Sequence, residues 1–282
     1  MCVIYSYGYN HTKLDSIFRM YDHTQAIGQP AKRFGRHAAA IMRRLHVAIY
    51  NASCALDTKG DVRMRPLVIA CSILKDEITT LFDKHNLEDV YNIRWMPESL
   101  HTFPQKMTGE IQSVIDEETD RPFIMLTYGN CGNGLVGICA REVPVIMPRY
   151  ADCISMLLSE RDDLDKLRTN TFFLTRGWMD GEYSIEKEYD GLVEKKGQKR
   201  ADKIINMLYE HYDNLMLIDT GCYDMDAQAE RLETVAKKVH MKPCTSKGTI
   251  SIWERLLTQD WDDDFIRLEP GDTVAFKDYF PI

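Results

Sequence analysis

The chain has 282 residues, 44% of them hydrophobic and 28% charged, and a formal net charge of −8. That length and apolar content support a large buried core, while the acidic balance excludes a general nucleic-acid binder, which carries a basic face. No run of 18 or more apolar residues occurs and no basic segment leading into an apolar stretch opens the chain, so neither a transmembrane helix nor a secretory signal is predicted and a cytoplasmic location is expected.

The charge is divided unevenly. Residues 1–63 hold nine Lys/Arg against four acids, a balance of +5, which leaves −13 for the rest. This shift marks residues 1–63 as an irregular N-terminal extension, either a start assigned too far upstream or a disordered arm. Residues 64–282 form the expected core domain. Met64-Arg65-Pro66-Leu67 reads like a natural N-terminus entering a first strand.

From there the pattern alternates. Leu67–Cys71 is a short apolar run of the kind buried on both faces of a sheet. Ser72–His85 follows as a helix with Ser72 at its N-cap, then Val90–Met96 as a strand, a loop holding His101, and a helix over Gln105–Glu118. Phe123–Tyr128 is a third strand ending in the turn Gly129-Asn130-Cys131-Gly132-Asn133-Gly134. Val143–Met147 is a fourth, and Asp152–Ser159 starts another helix. Thr171–Thr175 and Leu215–Asp219 read as strands, Gln198–Tyr212 and Tyr223–Val239 as helices. The last of these is acidic at its start and Lys-rich at its end, as the helix dipole favours. Glu182–Lys199 looks like a solvated connection, with short strands expected at Thr249–Ile252 and Thr273–Phe276. Alternating strands and helices give right-handed βαβ units, hence an α/β fold with a mostly parallel sheet and flanking helices. That fold is Rossmann-like but lacks a nucleotide signature.

Ligands in such a sheet collect beyond the carboxyl ends of the strands. Cys71 ends the first strand, His101 follows the second, Cys131 lies in the Gly-rich turn after the third, and Cys153 follows the fourth. Thiolates with imidazole suit zinc, and thiolates hold iron–sulfur clusters, so these four are candidate metal ligands. Each has a plainer reading. Cys71 fits a small buried hydrophobe and His101 a hydrogen-bonding loop residue, while a helix N-terminus would lower the Cys153 thiol pKa without any metal. None of the eight cysteines forms a CxxC pair, so any metal site is assembled from distant segments.

Gly129, Asn130, Gly132 and Gly134 could present backbone N–H groups to a small anion, although the turn lacks both the P-loop ending and the GxGxxG spacing. Arg149 is a candidate for a carboxylate or phosphate. Asp152 reads as either a functional acid or a helix cap with an ion pair, Trp178 as either a stacking surface or a core aromatic, and Asp219 as either a catalytic acid or a cap.

Ala70-Cys71 with Glu77, the Leu100-His101 loop, Tyr128 to Leu135, Pro148-Arg149-Tyr150-Ala151-Asp152-Cys153-Ile154 and Leu174-Thr175-Arg176-Gly177-Trp178 together resemble the uncharacterised family labelled domain of unknown function 1638. The resemblance spans about Met64 to Phe276. It implies a metal- or cofactor-linked protein associated with corrinoid-dependent methyl transfer, with a small molecule or a corrinoid protein as partner. Family members often carry His before the Asp-Cys pair, where this chain has Ala151.

Three functions remain open at this level. One is a zinc or iron–sulfur protein using Cys71, His101, Cys131 and Cys153. Another is a metal-free thiol enzyme with Cys131 or Cys153 as nucleophile and His101 as base, and the third is a non-catalytic module in which the Gly-rich turn and Arg149 hold a small anionic ligand.

Overall fold

A computed structural model describes residues 64–279, apart from the side chains of residues 101, 102 and 104. The expectations for residues 1–63 lie outside the described residues.

The first strand, β1 (Leu67–Cys71), is buried along its whole length, which explains its unbroken apolar sequence. A 3-10 turn, Ser72–Leu74, leads into α1 (Lys75–His85), which Asn86 ends in the left-handed conformation. Ser72 makes no capping hydrogen bond. β2 (Asn92–Met96), the short α2 (Ser99–Thr102), α3 (Pro104–Glu117, with Pro at its start), β3 (Ile124–Leu126) and β4 (Val145–Pro148) follow. β8 (Phe265–Leu268) completes this sheet in the order β2-β1-β3-β4-β8. All neighbours are parallel except β8, which runs antiparallel to β4. The chain therefore leaves β1 on one side to form β2 and returns on the other to form β3. The order reverses between β1 and β3, and such a reversal opens a crevice at the carboxyl ends of the two strands.

A second, three-stranded parallel sheet is built from β5 (Thr171–Leu174), β6 (Asn214–Asp219) and β7 (Lys242–Lys247), in that order. Its helices are α6 (Arg176–Asp180), α7 (Ile185–Lys196), α8 (Gln198–Leu208) and α9 (Met225–Lys238). The short α4 (Cys153–Leu157) and α5 (Leu164–Leu167) carry the chain into it, and α10 (Ser251–Leu257) carries it back. Two apolar clusters result, one around β1, β3, β4 and Trp253, the other around Leu174, Tyr189, Leu215, Leu217 and Leu232. Trp178 packs against both.

The expected α/β fold, with a mostly parallel central sheet and flanking helices, is the one observed, with local corrections. Glu182–Lys199 is helical over α7: Ser184 caps it by accepting from Lys187 N, acids open it, Lys195 and Lys196 close it, and Ile185 and Tyr189 supply a buried stripe four residues apart. The strand expected at Thr249–Ile252 is helix α10, whose Ile252, Trp253, Leu256 and Leu257 are all buried at helical spacing. The neighbouring strand β7 was hidden because its side chains are mostly exposed and interrupted by Pro243. The closing strand is β8 rather than Thr273–Phe276, where only an isolated bridge from Thr273 to Cys139 forms before a 3-10 turn. Among the described residues, no helix is long and apolar enough to cross a membrane.

Candidate functional site

The ends of β1 and β3 are locked together beyond their ladder. Thr127 N donates to Ile69 O at 3.1 Å, and Cys71 N donates to Thr127 Oγ1 at 3.2 Å. Trp253 Nε1 donates to Thr127 O at 2.8 Å and anchors the strand end from below. These bonds fix the Cys71 backbone at the edge of the crevice.

The Gly-rich turn is fixed as firmly. A Cβ on Gly129 would lie 2.7 Å from the Asp152 backbone, so only glycine lets the β3 loop touch the β4 loop there. Asn130 N donates to Tyr150 O at 2.9 Å across the same junction. The buried Asn130 side chain serves the turn itself, donating to Asn133 Oδ1 at 3.0 Å and accepting from Leu135 N at 3.3 Å. Gly132 and Asn133 both take positive φ, 60° and 64°, which swings Cys131 back toward β4. Gly134 abuts Met107. The N–H groups of Asn130, Gly134 and Leu135 thus serve internal bonds rather than an open anion cradle.

Asp152 is the N-cap of α4. It accepts from Ser155 N at 2.7 Å and from Arg168 at 2.7 Å. Burial would raise its carboxyl, but the bonds from Arg168 and Ser155 outweigh that and hold it below the usual range. Cys153, the first residue of α4, is thereby pointed at the turn.

Cys71, Cys131 and Cys153 all line one cavity of about 20 Å³, with Tyr128, Gly129 and Trp178 around them and Ile73 and Leu74 beneath. A space of that size holds one water or a particle of similar size. Trp178 reaches it because α6 sits directly on the Ser72–Leu74 turn: a Cβ on Gly177 would overlap the Ile73 carbonyl oxygen.

The three thiols differ. Burial pushes Cys71 up to about 12. Hydrogen bonding with Cys153 and with backbone N–H groups lowers Cys131 despite its burial. Cys153 is correspondingly raised, first by that bond, then by burial and by the negative groups beside it. The sequence expectation that the helix start would lower Cys153 is not met: its interaction with Cys131, its burial and the negative groups beside it raise it instead. Tyr128 is raised by burial and by the neighbouring Cys71 and Cys131.

The model of the family described as "Protein of unknown function (DUF1638)" matches residues 95–257. The chain belongs to that family. The match takes in the Gly-rich turn, the Asp152-Cys153 pair and Trp178, while Cys71 and Glu77 lie before it. No curated protein matches the chain. Among solved structures, an inhibited esterase B from Lactobacillus rhamnosis is 12% identical, covers 80% of this chain and 91% of its own, and has a TM-score of 0.19, a likeness that carries no argument.

The other candidates in this DUF1638 chain lie elsewhere. Arg149 donates to the carbonyls of Asp263 at 3.0 Å and of Asp278 and Phe265, so it fastens the C-terminal segment to β4 and is absent from the cavity lining. Asp219 ends β6, accepts from Gly221 N at 3.0 Å and pairs with Lys247 at 2.7 Å, which lowers it. It too is remote from the cavity lining. His101 falls on α2, but its side chain lies outside the described residues. Among the described residues, no group of three or more His, Cys, Asp or Glu side chains is placed to hold a metal ion. The three cavity thiols are chemically suited to a soft metal.

Sequence reasoning missed Tyr128, Thr127 and Tyr279. Tyr279 is buried and close enough to Cys131 to be raised by its charge as well as by burial. Tyr128 and Thr127 were visible as polar residues ending a buried strand. Tyr279 carried no local signal, because only the tertiary fold brings it near.

Proposed function

We propose that this DUF1638 chain works by thiol chemistry at the β1/β3 switch point, with Cys131 as the soft nucleophile and Cys153 as the donor that stabilises it and returns its proton. The observation that carries this reading is the convergence of Cys131 and Cys153 on one small cavity. A thiolate reacts where a thiol does not, so a hydrogen bond that holds one member of a pair ionised is the device a thiol enzyme needs. Trp178 covers the cavity and Tyr128 borders it. The cavity's size favours a small electrophile or the transferred fragment of a larger one, such as a methyl group, which fits the corrinoid-linked setting that the family resemblance implies. Reduced thiols also fit a cytoplasmic location.

Peptide mapping after brief alkylation at neutral pH tests this. Cys131 should label first among Cys71, Cys131, Cys139, Cys153, Cys222 and Cys244. Equal labelling of Cys139 and Cys131 would remove the basis for the reading.

A second reading, zinc or an iron–sulfur cluster on Cys71, Cys131, Cys153 and His101, is favoured by three thiols around an ion-sized space. It requires the donors to close further around the ion. Metal analysis of anaerobically purified protein decides it: stoichiometric zinc or iron that is lost in Cys131→Ser, with cysteines protected from alkylation until a chelator is added, would replace the thiol reading with this one.

A further inference from the structure

Several features of the cavity go beyond a single reactive thiol. Its volume of about 20 Å³ admits one very small molecule and no metabolite. Its border carries Tyr128, whose buried hydroxyl has no oxygen or nitrogen partner and is hydrogen-bonded to the Cys71 thiol. The second thiol, Cys153, lines the same cavity as Cys131. The backbones that carry both are held together by the Asn130 N to Tyr150 O bond at 2.9 Å and by the packing of Gly129 on Asp152.

Two thiols on one water-sized space, with a tyrosine hydroxyl at its edge, together select a small electrophile that leaves a disulfide behind. We infer that Cys131 and Cys153 form a peroxide-reactive dithiol whose substrate is hydrogen peroxide. This rests on the thiol reading above. Cys131 Sγ attacks one peroxide oxygen and the O–O bond breaks. The departing hydroxide takes a proton from Tyr128, which regains one from solvent, so water leaves and Cys131 becomes a sulfenic acid. Cys153 then attacks Cys131 Sγ. The S–S bond forms, the S–OH bond breaks, and the hydroxyl departs as a second water with the Cys153 proton. The pair is oxidised by two electrons and the peroxide is reduced to two waters. A small-molecule thiol or a dithiol protein returns the pair to its reduced form.

The test uses the full chain, reduced, freed of reductant anaerobically and treated with one equivalent of hydrogen peroxide, with intact-mass and peptide analysis. The wild type should lose two hydrogen atoms and yield a Cys131–Cys153 disulfide that dithiothreitol reverses. Cys153→Ser should stop at a sulfenic acid on Cys131, trapped by dimedone, and Tyr128→Phe should slow oxidation by at least about tenfold. Thermal melts of the variants confirm that they fold. Prompt alkylation of Cys131 without disulfide formation under peroxide overturns the inference and leaves the thiol reading standing. A Cys131 inert to both reagents overturns both, and a disulfide from Cys131 to any other cysteine overturns the role given to Cys153.

Discussion

The two sheets of this molecule end very differently. At the carboxyl edge of the five-stranded sheet the strand order reverses between β1 and β3, and the ends of β1, β3 and β4 bring three thiols and a tyrosine around one small cavity that Trp178 of α6 also lines. At the corresponding edge of the three-stranded sheet the order β5-β6-β7 simply advances, and Asp219 and Lys247, the last residues of β6 and β7, pair with each other. A reversal sends consecutive crossovers to opposite sides and leaves a gap between them, whereas a steady advance leaves none. Topology therefore decides which edge can hold a ligand, and the side chains follow it: thiols at the first edge, paired charges at the second.

The contrast makes the contact between the sheets the most sensitive place to probe. Gly177→Ala should produce the largest loss of stability, roughly 3 kcal/mol in urea unfolding, because its methyl would overlap the Ile73 carbonyl oxygen and neither backbone can yield cheaply. A loss under about 1 kcal/mol would show that the two sheets adjust to each other freely.

Glu77 gives the next effect. It is buried on α1, accepts from Thr220 Oγ1 at 3.0 Å beyond β6, and leaves its second oxygen without a partner. Burial, only partly opposed by Thr220 and by Arg176, pushes its carboxyl up to about 7 from 4.5. The folded state therefore holds this proton more tightly than the unfolded state. The contribution is complete below about pH 4.5 and is lost as pH rises through about 7. Stability should fall by roughly 2–3 kcal/mol across that window. Glu77→Gln should flatten the profile. An unchanged slope in that variant would place the titration on another group.

Thr127→Val removes the hydroxyl that accepts from Cys71 N and should cost about 1–2 kcal/mol in the same assay, with Cys71 becoming easier to alkylate. At the small end, Gly191→Ala lies within α7 with nothing within 4 Å of the new methyl, and should stabilise the chain by about 0.5–1 kcal/mol. If Gly191→Ala and Gly177→Ala had similar effects, the contrast between a contact glycine and a free one would collapse.

The first sheet is easier to read from sequence than the second. β1 and β3 are unbroken apolar runs, so strands buried on both faces declare themselves, and the positions at and just beyond the strand ends pick out the cavity's three thiols. β7 carries Lys242, Pro243 and Lys247 on an edge with little apolar surface, and the strand signal vanishes with it. α7 is obscured by its Glu, Lys and Gly content, since only Ile185 and Tyr189 are fully buried there. Within the site, strand-end position predicts which residues gather but cannot rank them. Arg149 and Asp152 sit three residues apart, yet one holds the C-terminal segment and the other caps α4 below Cys153. Which cysteine carries the lowered pKa depends on which thiol donates, a matter of a few ångströms that no spacing encodes.

The proposed thiol chemistry at this switch point depends on Cys153 lowering the pKa of Cys131. The pH dependence of Cys131 alkylation, followed by peptide mass spectrometry in wild type and in Cys153→Ala, tests that most directly. The wild-type midpoint should lie below the ordinary thiol value near about 8.5, and should move upward by about one unit or more when the Cys153 thiol is removed. A wild-type midpoint at or above the ordinary value, or one that Cys153→Ala leaves in place, would contradict it.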